Sequence, residues 1–298
     1  MDIQNIDTGR QARLIPSSTI EPLANRELNS ACSLALVSMK KRLPTRSMIQ
    51  TLPGKVALVT GGAKGIGRAT ALKLASAGCD IAINYYNSHS EATSLCDQIQ
   101  DLGRKAIAIQ GNVADHESIK EIFSIFTGTF HHLDILVSNA ASGVLKPVMQ
   151  MNRKHFRWCL ETNALALVLL CQEAIQLMNK GGSIIALSSI GASRAIPDYG
   201  FIGASKAAQE SLVRSLAQEL GQQGIRINTV SAGAVDTSAL SHFQNRDLLL
   251  EAFMLRNPTG KSMVPEHIAN VIYLLSLPEA EMINGQILVV DGGYAISG

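Results

Sequence analysis

Val56-Ala57-Leu58-Val59-Thr60-Gly61-Gly62-Ala63-Lys64-Gly65-Ile66-Gly67 carries an apolar strand straight into a glycine-rich turn, and a helix-period stretch, Gly67 to Ala77, follows it. Glycines 61, 65 and 67 let the backbone turn tightly and let a pyrophosphate approach the helix N-terminus, where free N–H groups and the helix dipole favour an anion. A glycine-rich run alone is also what any tight strand-to-helix turn uses. The strand before it and the helix after it make it a nucleotide cradle, with Gly61, Lys64, Gly65, Ile66 and Gly67 as the cofactor-facing residues.

Working outward, short apolar runs alternate with helix-period segments. The strands expected are Val56 to Val59, Asp80 to Asn84, Ala106 to Gln110, Leu133 to Val137, Gly182 to Leu187, Arg226 to Val230 and Gln286 to Val290. Between them lie Glu91 to Leu102, Ser118 to Phe126, Asn152 to Met178, Gly203 to Glu219 and Pro265 to Leu277. Apolar strands separated by helices predict a parallel sheet covered on both faces. The fold class is therefore α/β, a Rossmann-like doubly wound sheet of about seven strands, in a single domain over 54–298.

Composition bounds the function. With 298 residues, 46% of them hydrophobic, the chain can bury one sizeable core. A net charge of +2 lacks the concentrated basic face of a nucleic-acid binder. The cysteines at 32, 79, 96, 159 and 171 form no Cys-x-x-Cys pair, which excludes a zinc ribbon and points to a reducing, cytoplasmic compartment. No apolar run is long enough to span a membrane. His131-His132 reads as a solvated turn before a strand, and no His-Glu-x-x-His occurs. Residues 1–50 form an N-terminal extension, expected to be disordered, with docking or targeting as the alternative; its basic cluster Lys40-Lys41-Arg42 follows its short apolar run, the reverse of a secretory signal.

Cofactor choice turns on the end of the second strand, where NAD-binding chains usually offer a carboxylate to the ribose 2′-hydroxyl. Asn84-Tyr85-Tyr86-Asn87 offers none. Lys64 is placed to meet a 2′-phosphate as a compact charge. The alternative is a solvated loop lysine. The reading favours NADPH.

Later landmarks occur in a fixed order: Asn112-Val113 after the third strand, Ser138-Asn139-Ala140-Ala141 after the fourth, Asn163 in a long apolar helix, Ser188-Ser189 ending the fifth strand, Gly233, Val235 and Thr237 after the sixth, and Asp291-Gly292-Gly293 near the end. Singly, Asn139 or Asn163 could satisfy buried backbone groups and Ser189 could cap a strand end. Together with the spacing Gly-x-x-x-Gly-x-Gly they resemble the short-chain dehydrogenase/reductase family from Gly54 to Gly298. The resemblance implies that Asn112 and Val113 flank the adenine, that Asn139 and Ala140 line the cofactor, and that Val235 and Thr237 hold the nicotinamide carboxamide. It further implies that Ser189 orients substrate and that Asn163 supports a water and proton path.

The family's catalytic tyrosine normally stands four positions before its lysine. Here that slot holds Ile202, and Tyr199 stands seven positions before Lys206. Both spacings keep the pair on one helical face, but seven moves the phenol about one turn. In a ketone, hydride lands on the carbon that bears the oxygen to be protonated. In an enoyl thioester, hydride lands on C3 while charge collects on the C1 oxygen, so the oxygen stabiliser must sit elsewhere. Tyr199 is expected to hydrogen-bond that oxygen. Lys206 is expected to hold the nicotinamide ribose and favour charge on the tyrosine.

The spacing, Asn139-Ala140-Ala141-Ser142-Gly143-Val144-Leu145-Lys146-Pro147, Val230-Ser231-Ala232-Gly233-Ala234-Val235-Asp236-Thr237 and His242-Phe243-Gln244-Asn245-Arg246-Asp247 are similar to the FabL type of NADPH-dependent enoyl-acyl-carrier-protein reductase. That resemblance implies reduction of a trans-2-enoyl thioester on acyl carrier protein or CoA, in fatty-acid or related synthesis, by a homotetramer. The alternatives are a 3-oxoacyl-thioester or carbonyl reductase of the same superfamily, and a regulatory protein that binds NADPH without turnover. A tyrosine placed at 202 would supply an acid at the ketoreductase position.

Overall fold

The computed structural model describes residues 51–237, 240 and 246–297. The expected extension over residues 1–50 and the segment His242 to Asn245 lie outside the described residues. Seven strands form one parallel sheet: β1 (Val56–Val59), β2 (Asp80–Tyr85), β3 (Ala106–Gln110), β4 (Leu133–Ser138), β5 (Met178–Ser189), β6 (Arg226–Ala232) and β7 (Ile287–Val290), in the order β3-β2-β1-β4-β5-β6-β7. All four residues of β1 are buried, as a central parallel strand covered on both faces requires. The helices are α1 (Gly65–Ser76), α2 (His89–Asp101), α3 (His116–Thr127), α4 (Arg153–Leu160), α5 (Ala166–Ala174), α6 (Gly200–Gly221), α7 (Arg246–Arg256) and α8 (Pro265–Ser276).

The sheet divides the apolar core in two. On one face Leu74 of α1 and Ile272 of α8 pack with Ile81 and Val137. On the other, Ile122 and Phe126 of α3 pack with Leu167 and Leu220. Local chemistry marks the helix ends. Asp115 accepts from Ser118 N at 2.8 Å, and Pro265 occupies the first turn of α8. Buried Arg226 donates to the carbonyls of Leu275 and Leu277 where α8 ends, placing a cation at the negative end of the helix dipole.

The fold is the expected doubly wound one, with three local corrections. The helix expected over 152–178 ends at Ala174 and widens into a π-helical turn, Glu161–Leu165, between α4 and α5; the chain then turns so that Met178 of β5 pairs with Leu133 of β4. Helix α6 starts at Gly200 instead of Gly203, which makes Tyr199 its N-cap residue. Helix α7 was not expected from its sequence. Among the described residues, no helix is long and apolar enough to cross a membrane and no cluster of His, Cys, Asp and Glu could hold a metal. Strand order reverses between β2-β1 and β4-β5, and at such a switch point the strand ends open a crevice for ligand.

Candidate active site

Thr60 ends β1 and organises the crevice. Its hydroxyl accepts from Asn139 N at 3.0 Å and Ala140 N at 3.1 Å and donates to Val137 O, tying the ends of β1 and β4. Asn139 Nδ2 donates to the carbonyls of Thr60 and Gly61 at 2.9 and 3.0 Å. The turn between them is bare backbone. A Cβ on Gly67 would stand 2.4 Å from Gly61 O, and one on Gly65 would stand 3.3 Å from the Thr237 methyl, so Thr237 closes over the loop from the far side. Gly61 and Gly65 both have left-handed φ, at 59° and 53°. Helix α1 begins with no side-chain cap and no acid in its first turn. Its amides face a cradle of the size and sign that a pyrophosphate needs.

Lys64 is the N-cap residue of α1 and pairs with Glu91 of α2 at 2.8 Å. The lysine is the main reason the Glu91 carboxyl is held down at about 2. A cleft here is lined by Lys64, Arg68, Ser90, Glu91, Gln98 and Thr237. Arg68 donates to Gln98 at 2.6 Å. At the end of β2, Asn84 is buried with its amide on the carbonyls of Ile109 and Gly111, and Tyr85 pairs with His89 Nδ1 at 2.6 Å. No carboxylate stands at the end of that strand, as an NADPH site requires. Glu91 is the functional neighbour that the sequence did not single out; its only signal is its place in the first turn after the second strand.

Asn112 donates through its backbone to Ser118 Oγ at 2.8 Å, while its side-chain oxygen turns back onto Ala114 N. Val113 is buried in the core, so its side chain supports the crevice from beneath. Val235 is buried and bridges Met263, which fixes the loop that carries Thr237.

The remaining candidates come from three elements: Ser189 from the end of β5, Tyr199 and Lys206 from the N-cap and body of α6, and Asn163 from the π turn. Asp198, with a left-handed φ of 62°, turns the chain just before Tyr199 and accepts from Lys146 N at 3.0 Å. Tyr199 then opens α6, its carbonyl accepting from Gly203 N at 2.7 Å. Its phenol hydrogen-bonds Ser189; burial raises the phenol above its ordinary range, with the serine opposing it. Ser189 Oγ also accepts from Gly191 N at 3.2 Å.

Lys206 lies on α6, seven positions after Tyr199. It is buried, its Nζ donating to Leu187 O at 2.6 Å and Gln209 Oε1 at 3.2 Å. Desolvation lowers it to about 8, with Glu210 pulling the other way.

Asn163 lies in the π turn, its amide spent on Ser142 N, Ser142 O and Ser205 Oγ, each at 2.9 Å. This is the backbone-satisfying alternative weighed from the sequence. Ile202, in the common tyrosine slot, packs its Cγ1 and Cδ1 where a Cβ of Gly143 would lie, 2.4 and 2.8 Å away. Buried Cys159 closes the same corner, its Sγ 3.1 Å from that point. The arrangement offers a protonated phenol beside a hydroxyl, suited to donating a hydrogen bond to a substrate oxygen.

Known proteins resemble this chain over most of its length. The family model described as enoyl-(acyl carrier protein) reductase matches residues 61–295. A 1-cyclohexenylcarbonyl-CoA reductase of Streptomyces collinus is 35% identical over 244 residues, 81% of this chain and 87% of that protein. A hydroxynaphthalene reductase-like protein of Metarhizium anisopliae is 33% identical over 82% of this chain and 96% of its own. Among solved structures, a short-chain dehydrogenase from Burkholderia cenocepacia in complex with NADP superimposes with a TM-score of 0.75 at 32% identity, covering 82% of this chain and 99% of that one. A blue fluorescent protein from a metagenomic library in complex with NADPH gives 0.77 at 32% identity, covering 83% and 100%.

Proposed function

This chain belongs to the short-chain dehydrogenase/reductase family and is an NADPH-dependent oxidoreductase, and we propose that it reduces the C2–C3 double bond of trans-2-enoyl thioesters carried on acyl carrier protein or CoA. The observation that carries the reading is the place of the acid. Tyr199 stands at the N-cap of α6, hydrogen-bonded to Ser189, while an isoleucine fills the position nearer Lys206.

The chain's residues divide the work as follows. The backbone of Gly61, Gly65 and Gly67 would cradle the pyrophosphate, Lys64 would meet the 2′-phosphate, and Thr237 would close the loop over the cofactor. When bound, NADPH supplies a hydride. As C3 accepts that hydride, the electron pair of the double bond moves toward the C1 oxygen. Tyr199, kept protonated by burial, donates a hydrogen bond to that oxygen, and Ser189 orients the phenol. The charge then collapses as C2 takes a proton from solvent water. Lys206 anchors α6 to β5 and presents a cation toward the cofactor side, and Asn163 fixes the 142 loop that forms the roof. The relative from Streptomyces collinus, whose name describes a cyclohexenylcarbonyl-CoA substrate, supports a thioester. The resemblance to the FabL type supports acyl carrier protein and a homotetramer.

A second reading is a carbonyl or 3-oxoacyl reductase, and the relatives' names lend it more weight. Hydroxynaphthalene reductases from several fungi align over most of the chain. In this reading the Ser189–Tyr199 pair protonates a carbonyl oxygen on the carbon that takes the hydride. NADPH deuterated at its transferable position separates the two. Under the main reading, deuterium appears on C3 of a saturated thioester; deuterium only on the carbinol carbon of a hydroxy product rejects it.

A further inference from the structure

The ring of Tyr199 lies in a slot made by the absence of two side chains. A Cβ on Gly191 would stand 2.6 Å from both Cδ1 and Cε1 of Tyr199, far inside the separation at which carbon atoms attract. A Cβ on Gly203 would stand 2.5 Å from Gly191 O, so α6 and the short turn after β5 meet backbone to backbone. Neither glycine has a left-handed φ, so it is space and not backbone freedom that calls for them. Gly191 N also donates to Ser189 Oγ, the hydroxyl paired with the phenol. One residue therefore touches the face of the tyrosine ring and the serine that orients it.

We propose that Gly191 is a positioning residue: the empty space at its α-carbon seats the Tyr199 ring so that the phenol meets both Ser189 and the substrate oxygen. The proposal rests on Tyr199 acting as the acid in the reading above. Alanine at 191 keeps the N–H that Ser189 accepts, so it fills the slot without removing that bond. The displaced ring then moves its phenol, and a displacement of about 1 Å can lower turnover about a hundredfold.

The test compares wild type, Gly191→Ala, Tyr199→Phe and the double variant. NADPH affinity, unfolding temperature, kcat and KM are read with crotonyl-CoA and acetoacetyl-CoA. The phenol's ultraviolet titration is read against Tyr199→Phe. The expected result is a tenfold to hundredfold loss of kcat in Gly191→Ala with NADPH affinity unchanged, no further loss in the double variant, and a phenol titrating below its wild-type position. Wild-type kcat with an unmoved titration, or losses that multiply in the double variant, overturns the proposal. If Gly191→Ala does not fold, Gly191→Ala/Tyr199→Ala removes the ring that the methyl meets and should restore folded protein; failure of that rescue also overturns it. Preference for acetoacetyl-CoA with a silent Tyr199→Phe rejects the reading of Tyr199 instead, and the substrate-free titration still decides whether Gly191 seats the ring.

Discussion

Lys206 Nζ donates to the carbonyl of Leu187 at 2.6 Å, across the contact between α6 and the end of β5. The lysine is thus a buried cation held by a backbone oxygen and an amide, and desolvation brings it from 10.5 to about 8. Between those values the unfolded chain keeps a proton that the folded chain has released, so this group's contribution to stability rises with pH across that window. Measured by denaturant unfolding, the stability of wild type minus that of Lys206→Met should rise by up to about 3 kcal/mol between the two pH limits. A flat difference would show that Lys206 titrates normally.

Tyr199→Phe keeps the ring in its slot and removes only the hydroxyl that Ser189 pairs with. Turnover should fall by about a hundredfold or more, the scale of one lost oxyanion donor, with NADPH affinity unchanged. A variant that keeps its kcat and only raises KM would make Tyr199 a packing residue.

Lys64→Ala should weaken NADPH far more than NADH, by about 1.5–3 kcal/mol for one lost charge-assisted contact, or about ten- to a hundredfold. Glu91→Gln should act in the opposite direction, because it frees Lys64 from the carboxylate that now holds it at 2.8 Å. The pair is half exposed, so the gain should be at most about a few-fold. Equilibrium titration with both cofactors checks both variants; equal weakening of NADPH and NADH by Lys64→Ala would remove the 2′-phosphate from its role.

Ile202→Tyr, which restores the common spacing on paper, meets an obstacle that the sequence does not show. The isoleucine tip already occupies the space beside Gly143, with Cys159 behind it. A larger ring must push the 142 loop outward, at about 1–3 kcal/mol of stability for an overpacked site. The variant should unfold at lower temperature and gain no 3-oxoacyl activity. A stable variant with new ketone activity would show that the loop yields.

The sheet was legible because its strands are continuous apolar runs between glycine-rich turns, as in Val56-Ala57-Leu58-Val59, and parallel strands buried on both faces leave that trace. The nucleotide loop was legible for a similar reason, since its glycines are demanded by backbone crowding at Gly61 and Gly67. What stayed hidden depends on contacts between distant residues. Nothing along the chain says that Lys64 would find Glu91, that Lys206 would turn to Leu187, or that Gly191 would lie under Tyr199. Nothing in the composition of Glu161–Leu165 marks the π turn, and α7 was concealed by the weak segregation of its polar and apolar residues.

Which bond receives the hydride is reported directly by purified wild-type protein with matched trans-2-enoyl and 3-oxoacyl thioesters of one chain length. The rate of NADPH oxidation, followed over a range of each substrate, gives the two kcat/KM values. An enoyl value at least about tenfold above the 3-oxoacyl value, a difference of about 1.4 kcal/mol in transition-state stabilisation, is expected from the displaced Tyr199. A higher value for the 3-oxoacyl thioester would contradict the enoyl reading and leave the carbonyl reductase in its place.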